Sequence, residues 1–154
     1  MKRYKQRMSL MAVAVLVPLT VACGSTPSGQ ANSGSAGARQ PVTDVDWRVD
    51  DLSAGGTTLR APATARLRID ADGRAGGNLG CNGFGARATV RGDRITFGDL
   101  RSTKMACGED RMTFERAFAR FLTTGTITAR TADGKLTLTD GDGDLLRLSR
   151  DAPE

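Results

Sequence analysis

Turn signals at regular spacing constrain this chain most. Asp72-Gly73, Gly92-Asp93 and Asp133-Gly134 each lie between short segments of alternating or β-prone residues. Such dipeptides supply the positive φ angles that tight hairpin turns require. Thr64 to Ile69 alternates small or apolar side chains with charged ones, the period of a half-buried strand. The first turn joins it to Arg74–Leu79. The second joins Ala86–Val90 to Arg94–Phe97, and the third joins Ile127–Arg130 to Leu136–Leu138. Asp142-Gly143 leads into Leu145–Leu148, and Trp47 to Val49 with Leu52 opens the series. Short strands punctuated in this way predict a closed antiparallel barrel or a sandwich.

One segment departs from the pattern. Phe114, Ala117, Phe118, Phe121 and Leu122 recur at helical spacing and form a single apolar stripe. Asp110 or Thr113 is expected to cap its start, and Gly125 to follow its end. The predicted fold is therefore mainly β, of α+β type. It is a compact, barrel-like antiparallel sheet with one amphipathic helix packed on it.

The ends of the chain carry different information. Residues 1–22 combine a basic start (Lys2, Arg3, Lys5, Arg7) with an apolar run from Met8 to Leu19, then Val21-Ala22-Cys23. This predicts a lipoprotein signal peptide with Cys23 as the lipidated residue, although Thr20 stands where a leucine is usual. Residues 23–41 are rich in Gly, Ser and Ala and predict a tether between membrane and domain. The folded domain is expected over residues 42–150. The expected location is the extracytoplasmic face of the cell membrane, held by a lipid anchor.

Charge narrows the choice of partner. The full chain carries 22 Lys and Arg against 17 Asp and Glu, but the signal holds four of the basic residues, leaving 18 against 17. The basic excess thus belongs to targeting, and nucleic acid is not an expected partner. The only tyrosine, Tyr4, leaves with the signal, and Trp47 is the only tryptophan. No set of exposed rings remains on which sugars or bases could stack.

The chemistry-bearing residues cluster in two short motifs. The first is Gly80-Cys81-Asn82-Gly83-Phe84, inside a glycine-dense stretch that begins at Gly76. It lacks the Gly-Lys-Ser/Thr ending of a phosphate loop. Close backbone approach in a bent strand explains the glycines better. Asn82 is expected to hydrogen-bond local backbone, with ligand contact as the alternative. The second motif is Ser102-Thr103-Lys104-Met105-Ala106-Cys107. Here Thr103 is expected to satisfy backbone groups, and Met105 to fill the core.

Cys81 and Cys107 are the cysteines left after Cys23. Outside the cytoplasm a structural disulfide is the favoured reading, and a redox pair or metal site the sharper one. The chain has no histidine and no Cys-x-x-Cys, so no metal and no cofactor are expected. A Ser102 or Thr103 nucleophile would also lack a histidine base. Glu115 reads as an early helix carboxylate favoured by the helix dipole. Asp140 to Asp144 resembles the start of a calcium loop, but Leu145 stands where the required glycine would be; a hairpin turn is favoured.

From Trp47 to Leu148 the order of these elements resembles the META domain family, which includes HslJ-like heat-shock lipoproteins. Trp47 fits its opening Trp-x-Leu, with Val49 in the Leu position. Gly80, Cys81, Asn82 and Phe84 match its Gly-Cys-Asn followed by an aromatic. Thr103, Met105, Ala106 and Cys107 match its Thr-x-Met-Ala-Cys, and Met112 and Glu115 its helix start. Leu136, Leu138 and Leu148 match the closing strands. The resemblance implies a compact barrel-like domain with a packed helix, exported and often lipid-anchored. Its members are linked to heat shock, motility, drug resistance or virulence, without a shared biochemical activity, and it carries over no catalytic residue.

The expected function is therefore not enzymatic. It is a stress-related envelope module that binds a protein or a cell-wall component. The alternative is an inhibitor of a secreted or envelope hydrolase of protease or lysozyme type. A thiol redox protein using Cys81 and Cys107 comes third.

Overall fold

The computed structural model describes residues 41–151. The expected signal peptide, Cys23 and all but the last residue of the tether lie outside these residues. The elements run β1 (Asp46–Ala54), β2 (Thr57–Arg60), β3 (Arg66–Ile69), β4 (Arg74–Asn78), β5 (Gly83–Arg91) and β6 (Arg94–Ser102). The helix α1 (Glu109–Thr123) follows, then β7 (Thr126–Ala132), β8 (Lys135–Thr139) and β9 (Leu145–Arg150).

All strand pairings are antiparallel, and consecutive strands from β3 to β9 are neighbours. The ring closes through β1. One edge of β1 pairs with β9 from Trp47↔Arg150 to Ser53↔Leu145. Its other edge is shared, with β3 along residues 46–48 and β2 along residues 51–54. Closure removes the long unpaired edges that an open sheet would present. The three predicted hairpins stand as β3–β4, β5–β6 and β7–β8. Strand β2 was not foreseen, because Thr57–Arg60 has no apolar alternation to mark it.

Alternate residues of each strand point inward. Trp47, Leu52, Leu67, Ile69, Ile95, Ile127, Leu136, Leu138, Leu146 and Leu148 are fully buried. The helix adds Phe114, Phe118, Phe121 and Leu122 to the same core, packing against β1 and β6. Phe118 meets Phe84 of β5 edge-on at 6.1 Å between ring centroids, and Phe114 at 5.9 Å. The predicted stripe is therefore the buried face.

The helix start differs from expectation. Its N-cap is Gly108, with no side-chain cap bond, and Asp110 and Thr113 lie within the helix. Glu109 and Asp110 in the first turn instead offset the exposed N–H dipoles. At the other end Gly125 has φ +112°, as its position past the helix predicts. Asp140 to Asp144 forms the turn between β8 and β9. The Asp140 carboxylate accepts the N–H groups of Asp142 and Asp144 at 3.0 and 2.9 Å.

Candidate functional site

Three of the singled-out residues, Thr103, Met105 and Glu115, meet around the side chain of a fourth, Asn82. Asn82 lies between β4 and β5 and is only 1% exposed. Its Oδ1 accepts the Thr103 hydroxyl at 2.8 Å and the Met105 N–H at 2.7 Å. Its Nδ2 donates to the Met105 carbonyl at 3.1 Å and to the Glu115 carboxylate at 2.9 and 3.1 Å. An amide side chain has two donors and two acceptor sites. All four are used. The Asn82 backbone N–H also donates to Glu115 at 2.8 Å, and its carbonyl accepts from Leu79 N at 2.8 Å.

This corrects two expectations. Asn82 does not merely stabilise its own turn; it joins a turn, a loop and a helix far apart in sequence. Glu115 is not an early-turn carboxylate serving the dipole. It stands in the seventh position of α1, is 9% exposed, and faces inward to receive Asn82. A buried carboxylate needs such partners, because an unpaired one would cost several kcal/mol of desolvation, roughly.

Met105 was expected in the core, and the structure overturns this. Its side chain is 59% exposed. What is held inside is its backbone, whose N–H and C=O both go to Asn82. The loop 103–106 is consequently pinned from beneath, in part through the Thr103 hydroxyl, while Lys104, Met105 and Ala106 stay exposed. Thr103 N donates to Gly83 O at 3.0 Å, which extends the β5–β6 pairing into the loop.

Glycines permit the close approach. A Cβ on Gly77, at φ +152°, would fall onto the Arg66 carbonyl. A Cβ on Gly80, at φ +117°, would press on Phe114 and Pro62 at 3.2 Å. Asn78 and Thr64 complete the turn and were not singled out from sequence. Asn78 Oδ1 accepts Gly80 N–H at 2.7 Å, and the Thr64 hydroxyl donates to Gly80 O at 2.6 Å. The Asn-x-Gly spacing is the local signal that could have revealed Asn78.

Cys81 and Cys107 form a disulfide, with their Cα atoms 6.1 Å apart. It ties the turn before β5 to the loop just ahead of α1, one residue before the Gly108 N-cap. The bond spans 26 residues, and the chain-entropy account gives about 3 kcal/mol for a loop of that length. Reduction should therefore lower the urea midpoint by a corresponding amount. A midpoint unchanged by reductant would mean that the Asn82 network alone holds the loop.

Phe84 is buried in the core and takes no part in the network beyond flanking it. Among the described residues no group of three or more His, Cys, Asp or Glu converges as a metal site would require.

The fold and this buried clip define a small β-barrel domain with one packed helix, built around a Gly-Cys-Asn turn. The chain belongs to the META domain family, which matches residues 40–153. Solved structures share the fold. An NMR structure of a protein from Burkholderia xenovorans is 24% identical, with a TM-score of 0.62, covering 73% of this chain and 85% of that one. A second NMR structure is 16% identical, with a TM-score of 0.54, covering 69% and 89%. No curated protein matches.

Proposed function

We propose that this protein is a non-catalytic binding module, anchored by a lipid on Cys23, that presents the loop 103–106 to a partner in the cell envelope. The observation that carries the reading is the exposed Met105 on a backbone held by Asn82 and bounded by a disulfide. A loop fixed before binding loses little conformational entropy when it docks, so it binds more tightly for the same contacts. An exposed methionine is an adaptable apolar contact. The four-fold use of Asn82 leaves it no capacity for a ligand, so the motif supports the loop rather than forming a pocket. The absence of histidine from the chain favours a binding role over acid–base catalysis.

The same feature supports a second reading. A rigid, disulfide-bounded loop with one exposed apolar side chain suits the cleft of a secreted or envelope hydrolase, which it would inhibit. A photo-crosslinker at position 105, installed in living cells, separates the readings. A single envelope partner, absent when the crosslinker sits at Thr137 of β8, is the expected result. A hydrolase as that partner selects the inhibitor. Equal capture from both positions overturns the loop as a docking element. The anchor is tested in parallel: Cys23→Ala should release the chain from membranes, and retention would refute lipidation there.

A further inference from the structure

Some arginines of this barrel are paired with aspartates and others are not. Arg48, Arg66, Arg68, Arg74 and Arg147, on β1, β3, β4 and β9, all have aspartate partners: Asp50, Asp151, the group Asp44, Asp46 and Asp70, Asp72, and Asp51 respectively. Arg91, Arg94 and Arg130 are exposed and have no carboxylate partner among the described residues. They are also neighbours. Arg91 and Arg94 sit directly opposite one another in the β5–β6 pair. Arg94 pairs with Thr128, and Arg130 lies two residues further along β7. The three arginines therefore sit at register positions beside the Gly92-Asp93 turn, which carries Asp93.

Like charges directly opposed on a sheet destabilise it. Arg60, Arg87, Arg101 and Arg150 on other parts of the barrel also form no ion pair among the described residues; here three such arginines adjoin one turn. An external anion would relieve the repulsion. The path of the chain says which anion is at hand. Pro41, Val42 and Thr43 line a crevice of about 320 Å³ together with Gly92, Asp93 and Arg130. The chain thus enters the barrel beside the arginine cluster. Val90, 36% exposed, borders the same crevice at the same hairpin end, on the sheet face opposite to Arg91 and Arg94. Basic groups and an apolar residue at one hairpin end suit a bilayer surface.

We propose that the turn between β5 and β6, with Arg91, Arg94 and Arg130, docks on anionic phospholipid head groups of the membrane to which the chain is anchored. This rests on the anchored reading above, because the tether would bring that end of the barrel to the bilayer. It also leaves the loop 103–106 free for its partner. An arginine near an anionic surface raises partitioning about five-fold, and the effect is screened by salt. Three arginines less one aspartate give a gain on the order of 30-fold.

The test uses the full lipid-bearing chain on vesicles of phosphatidylcholine alone, or of phosphatidylcholine with phosphatidylglycerol. Phenylglyoxal modification of each arginine is followed by mass spectrometry. Arg91, Arg94 and Arg130 should react several-fold more slowly on the anionic vesicles at low salt, and equally at high salt. Arg48 and Arg147 should not differ between vesicles. In an Arg91→Glu, Arg94→Glu variant, the protection of Arg130 should vanish. Equal modification on both vesicles, or protection that persists in the variant, overturns the proposal. Flotation with neutral vesicles reports the anchor separately. A chain that floats only with anionic vesicles refutes the anchor while supporting the arginine surface.

Discussion

Replacing Asn82 with aspartate is expected to cost the domain about 3–5 kcal/mol. The two side chains have nearly the same shape, so packing hardly changes. The chemistry inverts. Both Nδ2 donors disappear, and a second carboxylate arrives beside that of Glu115, to which Nδ2 now donates at 2.9 and 3.1 Å. The Met105 carbonyl loses its partner as well. Asn82→Ala should cost less than Asn82→Asp, because it leaves polar groups unpaired without adding charge. Glu115→Gln should cost about 1–2 kcal/mol, since the amide keeps one acceptor for three N–H bonds. Urea unfolding at constant m-value measures each change. If Asn82→Asp were no worse than Asn82→Ala, the Asn82–Glu115 contact would not be the centre of the network. A double-mutant cycle on the two positions should return a coupling of about 1–3 kcal/mol.

The same contact shows where sequence reading reaches its limit. Hairpins were legible, because a turn such as Asp133-Gly134 and its flanking strands are contiguous, and the φ angles of the turn are local. Positive φ at Asp133 and Gly134 agrees with that reading. The helix was legible for the same reason: a 3.6-residue period needs no distant information. A barrel-like sheet was expected from the turn spacing, but which strands close it was not legible, since β1 and β9 are separated by nearly the whole domain. The partner of Asn82 was not legible either, because it lies 33 residues away. A signal was nonetheless present. Glu115, Phe118 and Leu122 fall at i, i+3 and i+7, so a carboxylate occupies the apolar stripe. An acid on a buried face asks for a buried donor. Met105 shows the opposite failure: an apolar residue was assigned to the core by type, yet the fold uses its backbone and leaves its side chain in water.

Phe118→Ala is expected to cost about 3–5 kcal/mol, from lost transfer energy and the cavity left behind. Phe118 is fully buried and meets two other rings, Phe84 of the barrel and Phe114 of its own helix. Of these two ring contacts, the one with Phe84 joins helix to sheet, so Phe84→Ala should weaken the same attachment. Met105→Ala provides the contrast, with a change within about 0.5 kcal/mol, because its side chain is exposed. A loss below about 1 kcal/mol for Phe118→Ala would mean that the helix is not part of the cooperative core. The two large effects should also interact. Glu115 and Phe118 lie one turn apart on α1, one clipped to Asn82 and the other seated against Phe84. If the helix leaves the barrel as a unit, Asn82→Asp already releases much of what Phe118→Ala removes. The double variant should then lose less than the two losses added together. Full additivity would instead mean that the clip serves the loop 103–106 alone, with the helix held independently by its aromatic face.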